Sequence, residues 1–256
     1  MLLRSITKHV RDQNWFAVFL DFFIVVAGIL IAFQITNWND ARKEEQAARV
    51  YVERIRDDLM ANREDLQQRA IYFSQTRDHA LSALAALDRP PETLGKDFLI
   101  DVYQATQALP RTFGRDTYDE IISAGETNTI TDTSIRKMFA NFYRGIEAPL
   151  AILSQTVHYR EIIRSKMPYK TQAAIRADCA ESSTINAAGE PIISFPDKCE
   201  IDLDMKETLK SVSAIIDADI RDALVRRISD LDNKIVMSRR IIERAEALDA
   251  HLEERL

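Results

Sequence analysis

The sequence predicts an all-α protein in which one N-terminal transmembrane helix is followed by an antiparallel helical bundle. The 256 residues include only 6 Gly and 7 Pro, and this scarcity of turn residues favours long helices over many short strands. An apolar stretch near the N-terminus has the length of a membrane span, and the rest of the chain repeats apolar residues every three or four positions. The chain after that stretch is long enough for one ordinary domain.

The overall charge argues against a nucleic-acid partner. Charged residues make up 29% of the chain, and the formal net charge is −6. A protein that binds nucleic acid needs a basic surface to meet the phosphate backbone, and this composition offers no such footprint. We therefore expect no nucleic acid among the partners.

Residues 13–38 are predicted to form a transmembrane helix. Its core, WFAVFLDFFIVVAGILIAFQI from Trp15 to Ile35, matches the roughly 20 residues that cross a hydrocarbon layer of about 30 Å. Trp15 and Trp38 are the only tryptophans, and they flank the core where membrane-interface anchors lie. The alternative is a cleaved signal peptide, but the apolar core exceeds the usual ~7–15 residues and no small-x-small cleavage site follows it. The lipid bilayer is therefore an expected partner.

The charges around the span predict a cytoplasmic N-terminus by a small margin. Three basic side chains precede the span, whereas Arg42 and Lys43 after it are accompanied by two glutamates. Because basic residues are retained on the cytoplasmic side of a membrane, residues 1–12 are expected in the cytoplasm.

The only two cysteines favour an oxidising compartment for the rest of the chain. Cys179 and Cys199 bracket a segment with one glycine and two prolines, which is typical of a loop that a disulfide closes. The alternative is two unrelated free thiols, and without histidines beside them the pair is a poor metal site. Together with the charges, the pair predicts that residues 39–256 form a periplasmic α-helical domain, with a disulfide-closed loop at 179–199, anchored in the inner membrane.

One carboxylate, Asp21, interrupts the span. On a helix that advances about 100° per residue it lies on the same side as Ala17, Gly28 and Ala32, and the last two form a small-xxx-small pair. Small residues let another helix approach, and an ionisable group within a span normally faces protein or water. We expect this stripe to pack against the transmembrane helix of another copy or of another membrane protein. The alternatives are a carboxyl that reaches the interface or is protonated, and a proton relay.

After the span, apolar spacing predicts a first long amphipathic helix from Ala48 to the proline pair at Pro90. Nothing between Asn39 and Ala48 is a strong helix breaker, so this helix can continue directly from the span. Its apolar face is expected to be the core face of an intramolecular bundle, and an intermolecular coiled coil is the alternative.

Four further helical regions are predicted, and they cover residues 93–108, 116–124, 132–177 and 209–256. Pro149 is expected to kink the third of them. Gly125 can supply the left-handed residue that closes a helix, and Asp132 or Thr133 can accept from the first free amides of the next one.

Two segments resemble an uncharacterised protein family. GILIAFQITNWNDARKEE follows the acidic residue in the span, and TYDEIISAGETNTITDTSIRKMFANFYR runs from Thr117 to Arg144. Both are similar to a family of single-span bacterial envelope proteins, a domain of unknown function whose anchor ends in a Gln-x-x-Asn-Trp-Asn-like segment. The resemblance lies in the first half of the chain. It implies a bacterial inner-membrane location and an α-helical build, and it implies no reaction.

The sequence offers no catalytic, metal-binding or cofactor motif. The four histidines are scattered without ligand spacing, and neither a nucleophile elbow nor a phosphate loop is present. Tyr118, Asp119, Glu120 and Arg136 would form a polar pocket in a functional interpretation, but a solvated helix face is the preferred one. We expect no enzyme activity and no cofactor.

The leading functional hypothesis is a non-enzymatic accessory or scaffold protein. It would associate through its span and its helical domain, either as a homo-oligomer or as a subunit of a larger inner-membrane complex. The alternative is a periplasmic helical bundle that senses a ligand between its helices. Because only about 12 residues precede the span, such a sensor would need a separate transducer. An unrecognised periplasmic enzyme is the third hypothesis.

Overall fold

The computed structural model describes residues 15–109, 113–155, 157–185, 191–196 and 198–254. Within these residues the protein is all-α apart from one small two-stranded sheet, which confirms the predicted fold class. The predicted cytoplasmic segment 1–12 lies outside the described residues.

Helix α1, Trp15–Ala86, joins the apolar N-terminal stretch to the first bundle helix without a break. It contains 72 residues and is about 108 Å long at 1.5 Å per residue. Residues 29–89 contain neither glycine nor proline, so no residue type there interrupts the helical hydrogen bonds. The first described side chain along α1 that is buried is Val52, and the bundle begins there.

The remaining helices are α2 (Lys96–Gln104), α3 (Asp116–Ser123), α4 (Thr133–Leu153), α5 (His158–Lys166), α6 (Tyr169–Asp178), α7 (Met205–Asp217) and α8 (Arg221–Glu253). Two single turns of 3₁₀ helix lie at Pro91–Thr93 and Glu126–Asn128.

The main core lies between α1, α4 and α8. Helix α8 packs antiparallel against α1, with ion pairs from Arg56 to Asp249 at 2.5 Å and from Arg77 to Asp232 at 3.1 Å along the seam. The apolar seam of α1 is thus the core face of an intramolecular bundle, which is the interpretation that the sequence favoured. Its buried side chains include Val52, Ile55, Leu59, Leu66 and Phe73.

A second core lies at the other end of the bundle. Helices α2, α5, α6 and α7 pack around the last turns of α1, where Ala80 and Ala83 are fully buried. Arg227 of α8 is also buried here, and it donates from Nε to Ala105 O at 3.0 Å and from Nη2 to Gln107 O at 2.6 Å. This guanidinium satisfies two backbone carbonyls just after α2 and so fixes the end of that helix.

The predicted cysteine loop contains a β-hairpin. Strands β1, Ser182–Ile185, and β2, Pro191–Ser194, pair antiparallel. Phe195 follows β2 and stacks on Tyr72 of α1 with 5.0 Å between ring centroids. Cys179 and Cys199 form a disulfide with 5.3 Å between Cα atoms, so the hairpin is tied at its base and held against α1.

Two short segments shape the region after α3. Gly125 has a φ of 71°, which a residue with a side chain rarely adopts, and it follows the end of α3. Asp132 is the N-cap of α4, and its side chain accepts from Ser134 N at 2.7 Å and from Ile135 N at 3.4 Å.

The long helix predicted over 132–177 is three helices in the structure. Helix α4 ends at Leu153, and the chain breaks again where Met167, in an extended conformation, precedes Pro168. A residue before proline is pushed out of the helical region, so the second break follows from the sequence. The first break is stabilised by Lys234, which donates to Leu153 O at 2.9 Å. Its positive charge lies at the C-terminal end of α4, where the helix dipole favours a cation.

Pro149 lies inside α4 and does not end it. Proline has no amide proton, so the carbonyl four residues earlier, Gly145 O, loses its helical partner. Arg244 of α8 donates from Nη1 to that carbonyl. A Cβ atom at Gly145 would lie 2.6 Å from the same nitrogen, so glycine leaves the space that the guanidinium occupies.

Two other predicted boundaries also differ. The region 209–256 is divided into α7 and α8, with Asp219 between them at a φ of 45°. The region 93–108 is helical only over α2, because Thr106 turns its hydroxyl back to Tyr103 O at 2.7 Å and the chain leaves the helix there.

Candidate functional site

The first part of α1 presents a large apolar surface that no other described part of the chain covers. It is the one helix in the described residues that is long and apolar enough to cross a membrane. The large apolar side chains between positions 16 and 35 that are exposed are Phe16, Phe19, Leu20, Phe22, Phe23, Ile24, Val25, Ile29, Leu30, Ile31, Phe33 and Ile35. A surface of this size needs to be covered by lipid or by another protein.

The predicted stripe lies on this uncovered surface. Asp21, Gly28 and Ala32 are all exposed, and a Cβ added at Gly28 would meet nothing within 4 Å. Trp38 is exposed as well. The side chains of Trp15 and Ala17 lie outside the described residues, although their backbone belongs to α1.

The four polar residues weighed as a pocket do not converge. Glu120 is paired with Arg54 of α1, and Asp119 with Arg115 at 2.8 Å. Arg136 donates to Asn128 at 3.2 Å, and the Tyr118 ring stacks on Tyr143 at 4.1 Å. Each side chain has its own local partner. The cleft beside Tyr118, about 290 Å³ in volume, is mainly apolar, with Ile121, Ile122, Ile130 and Phe139 in its lining.

A different polar cavity lies at the far end of the bundle, between α2, α5 and α6. Its volume is about 480 Å³, and Cys179 with the two residues that follow it forms one side. Its lining includes three arginines and one carboxylate: Arg160, Arg164, Arg176 and Glu181. We call this site the arginine cavity.

The loop after α2 orients two of these arginines. Arg160 donates to Thr106 O at 3.3 Å and to Gln107 Oε1 at 3.2 Å. Arg164 donates to Thr106 Oγ1 at 3.0 Å and to Gln107 Oε1 at 3.4 Å. Because Arg160 and Arg164 are four residues apart on α5, both side chains leave the same face of that helix.

The third arginine comes from the next helix. Arg176 of α6 is exposed and donates to the Tyr103 hydroxyl at 3.4 Å. The Arg164 guanidinium lies over the ring of the same tyrosine, with its carbon 3.6 Å from the ring centroid. Tyr103 is buried, so its ring is a fixed support for Arg164, whereas Arg176 lies over the ring of Tyr169, 5.3 Å from its centroid.

The electrostatics of the arginine cavity are strongly positive. Burial, and to a smaller extent the charge of Arg176, lowers the pKa of Arg164 to about 10, while Glu181 opposes the change. Glu181 accepts a hydrogen bond from the buried Tyr72 hydroxyl, so its carboxylate is already engaged. In the described part of the chain none of the three arginines forms an ion pair.

Sequence reasoning did not identify the arginine cavity. The spacing of Arg160 and Arg164 was visible, but a helix with two arginines four residues apart is ordinary. Arg176 follows a proline break, and Gln107 lies 53 residues before Arg160, so only the packing of α2, α5 and α6 brings them together. Among the described residues, no group of three or more His, Cys, Asp or Glu side chains is placed to hold a metal ion.

Comparison with known proteins gives one match. The model of DUF6090, described as a family of unknown function, matches residues 21–150. That range includes both segments on which the resemblance to an uncharacterised family rested, and it ends before the arginines of the cavity. No curated protein and no solved structure matches the chain.

Proposed function

The chain belongs to DUF6090, a family of unknown function, and from that premise we propose that it is a non-enzymatic accessory or scaffold protein anchored in the bacterial inner membrane. Its N-terminus lies in the cytoplasm and its helical domain in the periplasm. The protein associates through its span and its domain, either with itself or with a larger inner-membrane complex.

The observation that carries this proposal is the uncovered stripe on α1. Asp21 lies six residues, about 9 Å, inside Trp15, and an ionisable side chain within a span normally faces protein or water, because exposure to lipid costs up to about 2.5–3.5 kcal/mol at the bilayer centre on the mildest scales. The structure contains one candidate span among its described residues, which leaves Asp21 without a second helix from that part of the chain. A partner helix at the Gly28 and Ala32 face therefore comes from another copy or another protein.

The disulfide supports the compartment in the proposal. Structural disulfides persist in oxidising compartments such as the periplasm and are rare in the cytoplasm. Cys179 is buried and paired with Cys199, so the bond belongs to the packed structure of the domain. A domain held in this way on the far side of the membrane agrees with the small excess of basic residues before the span.

Replacing Asp21 with Leu, or Gly28 with Leu, is expected to leave insertion intact and to weaken association. Leucine removes the polar contact at position 21 and blocks close approach at position 28. The protein is tagged at its C-terminus, extracted from native membranes in a mild detergent, and its mass and co-purifying proteins are determined by native mass spectrometry.

The matched control is Leu30→Phe, which lies about 180° around the helix from Asp21 and is expected to keep the wild-type assembly. A stoichiometric second protein would identify a larger complex, and a multiple of the chain's own mass would identify a homo-oligomer. Unchanged association in both stripe variants, or a monomer in wild-type extracts, would contradict the proposal.

A further inference from the structure

We propose that the arginine cavity is a binding site for a small soluble dianion, a phosphate or a dicarboxylate. The proposed scaffold role makes no use of this cavity, and its three arginines and its glutamate lie beyond the residues that the family model matches. The site is independent of the span and its stripe.

The first argument is the local charge. Three guanidinium groups and one carboxylate leave two positive charges in the cavity of a protein whose net charge is −6. Glu181 accepts from Tyr72 with one of its oxygens, and its single negative charge is too small to balance three arginines. An arrangement of like charges without ion pairs is unfavourable until an anion enters. A ligand with two negative charges would balance the cavity.

The second argument is the orientation of the donors. Arg160 and Arg164 share the acceptor Gln107 Oε1, and Arg164 lies flat on Tyr103, so both forks are held before any ligand arrives. Arg164 Nε is buried and has no hydrogen-bond partner in the described structure. That atom is closed off from solvent, so the groups that can reach an oxyanion are the guanidinium ends of the exposed Arg160 and Arg176.

The third argument is the contrast with Arg227, which lies nearby. Both of its donating groups reach backbone carbonyls, and the side chain is 2% exposed, so it serves the packing of α2 and α8. Arg176 is instead exposed, and the one hydrogen bond it forms in the described structure is the long one to Tyr103. One face of its guanidinium lies over the Tyr169 ring, and the N–H groups at its edge are available to a ligand.

The position along α1 favours a soluble ligand over a lipid headgroup. Tyr72, next to the cavity, lies 34 residues beyond Trp38, which corresponds to about 51 Å of helix. With the proposed anchor in a bilayer, phosphate groups of the lipids lie far from Arg160 and Arg176. A small anion in the surrounding solution can reach them directly.

The test is isothermal titration calorimetry on the full chain in phosphatidylcholine nanodiscs at pH 7.5, with inorganic phosphate, succinate and acetate as separate probes. At least one of the two dianions is expected to bind, and acetate at least about tenfold more weakly, because one negative charge leaves the cavity unbalanced. Arg164→Gln and Arg176→Gln are each expected to weaken binding by about tenfold or more, since each removes a charged donor.

Two further variants sharpen the test. Glu181→Gln keeps an acceptor for Tyr72 but removes the negative charge, so it is expected to tighten binding several-fold. Arg240→Gln removes an exposed arginine outside the cavity and is expected to bind as the wild type does. Because Arg176 is exposed, its replacement leaves the packed core intact, and circular dichroism confirms the fold of each variant.

Three results would overturn the proposal. The first is that neither phosphate nor succinate binds at millimolar concentration. The second is that Arg176→Gln binds as tightly as Arg240→Gln does. The third concerns the source of the anion: if phosphate binds more weakly in phosphatidylglycerol nanodiscs, and this loss disappears in Arg176→Gln, a lipid headgroup fills the cavity instead of a soluble ligand.

Discussion

At the scale of single residues, one arginine allows a proline to remain inside a helix. The helix interior normally loses about 3 kcal/mol to a proline, partly through the carbonyl that it leaves unpaired. Here Arg244 donates to Gly145 O from the neighbouring helix, and the absence of a side chain at Gly145 leaves room for it. The same contact links α4 to α8, so the proline contributes indirectly to their packing.

Arg244→Met is expected to destabilise the protein by about 1 kcal/mol when Pro149 is present and by clearly less in a Pro149→Ala background. In that background the alanine that replaces Pro149 has an amide proton of its own to donate to the Gly145 carbonyl, so the arginine is no longer needed. The free energies of unfolding of the four proteins, measured by urea titration followed by circular dichroism, give the coupling. Equal losses in both backgrounds would show that the contact with Gly145 O is not what stabilises this helix.

Lys234 is a second residue with a single evident task. It is 5% exposed, donates to Leu153 O and Gln155 O at the end of α4, and lies near the ring of Phe73. Burial lowers its pKa to about 8, and the charge of Arg227 adds to the effect. The folded protein therefore carries a buried ammonium at neutral pH.

The free energy of unfolding is expected to rise as the pH increases from 7.5 to 9.5. In the unfolded chain Lys234 keeps its ordinary pKa of 10.5, so over this range the unfolded state binds more protons and is disfavoured as they are removed. Lys234→Met lacks this group, and its stability should change less with pH. Urea titrations at each pH give both slopes, and parallel slopes would exclude Lys234 as the titrating group.

At the scale of elements, periodicity predicted the long helices well and their ends less well. The seam of α1 and that of α8 repeat apolar residues over many turns, so both helices were evident. Pro168 indicates the break at Met167, because proline disfavours a helical conformation in the residue before it. The apolar spacing continues across this point, so the prediction treated the region as one helix. Asp219, at a φ of 45°, carried no such signal, because neither glycine nor proline lies beside it.

The relative energies explain why the apolar seam decides the packing of α1 on α8. Exposed ion pairs such as the one between Arg77 and Asp232 are worth about 0–1 kcal/mol each. A buried side chain such as Ile55 or Leu231 costs about 2–5 kcal/mol when it is cut back to alanine. The ion pairs along the seam therefore contribute to orientation more than to stability.

Loss of the disulfide is expected to lower the free energy of unfolding by about 3 kcal/mol. The bond between Cys179 and Cys199 closes a loop with a sequence separation of 20, and an open loop gives the unfolded chain more conformations. The double replacement Cys179→Ser with Cys199→Ser is compared with the wild type in the presence and absence of a reductant. Reductant should destabilise the wild type to the level of the double variant and leave that variant unchanged.

Non-reducing electrophoresis of protein from native membranes tests the same bond in its own compartment. A mobility change on reduction that is absent in the double variant is expected. Two free thiols in that material would remove the main support for a periplasmic domain.

At the scale of the whole molecule, the fold class and the long apolar N-terminal helix were predictable, whereas the arginine cavity was not. That helix and the bundle follow from patterns that are local in sequence. The cavity combines Gln107, Arg164 and Arg176 from helices whose relative placement no local pattern specifies. Its acidic member, Glu181, lies in the cysteine loop that the sequence marked only as a loop.

Inserting one alanine after Glu44 is expected to weaken association while leaving the bundle as stable as before. The insertion turns the domain about 100° relative to the stripe, and a partner that holds both surfaces would lose one of them. Seven inserted residues bring the domain back to within about 20° of its original orientation relative to the stripe, while they lengthen the helix by about 10 Å. Recovery of association in this variant would show that orientation matters more than distance. Native mass spectrometry of both variants is the measurement, and a one-residue insertion that assembles normally would show that span and domain act separately.

The antiparallel packing of α8 on α1 also constrains the order in which the protein can fold. Arg56 and Asp249 are in contact although they are separated by 193 residues. A ribosome delivers the chain from its N-terminus, so the part of the α1 face that packs on α8 has no cover until the last helix has been synthesised. Contacts this distant close large loops and form slowly. The part of the α1 face that α8 covers in the folded protein therefore stays exposed until the end of synthesis.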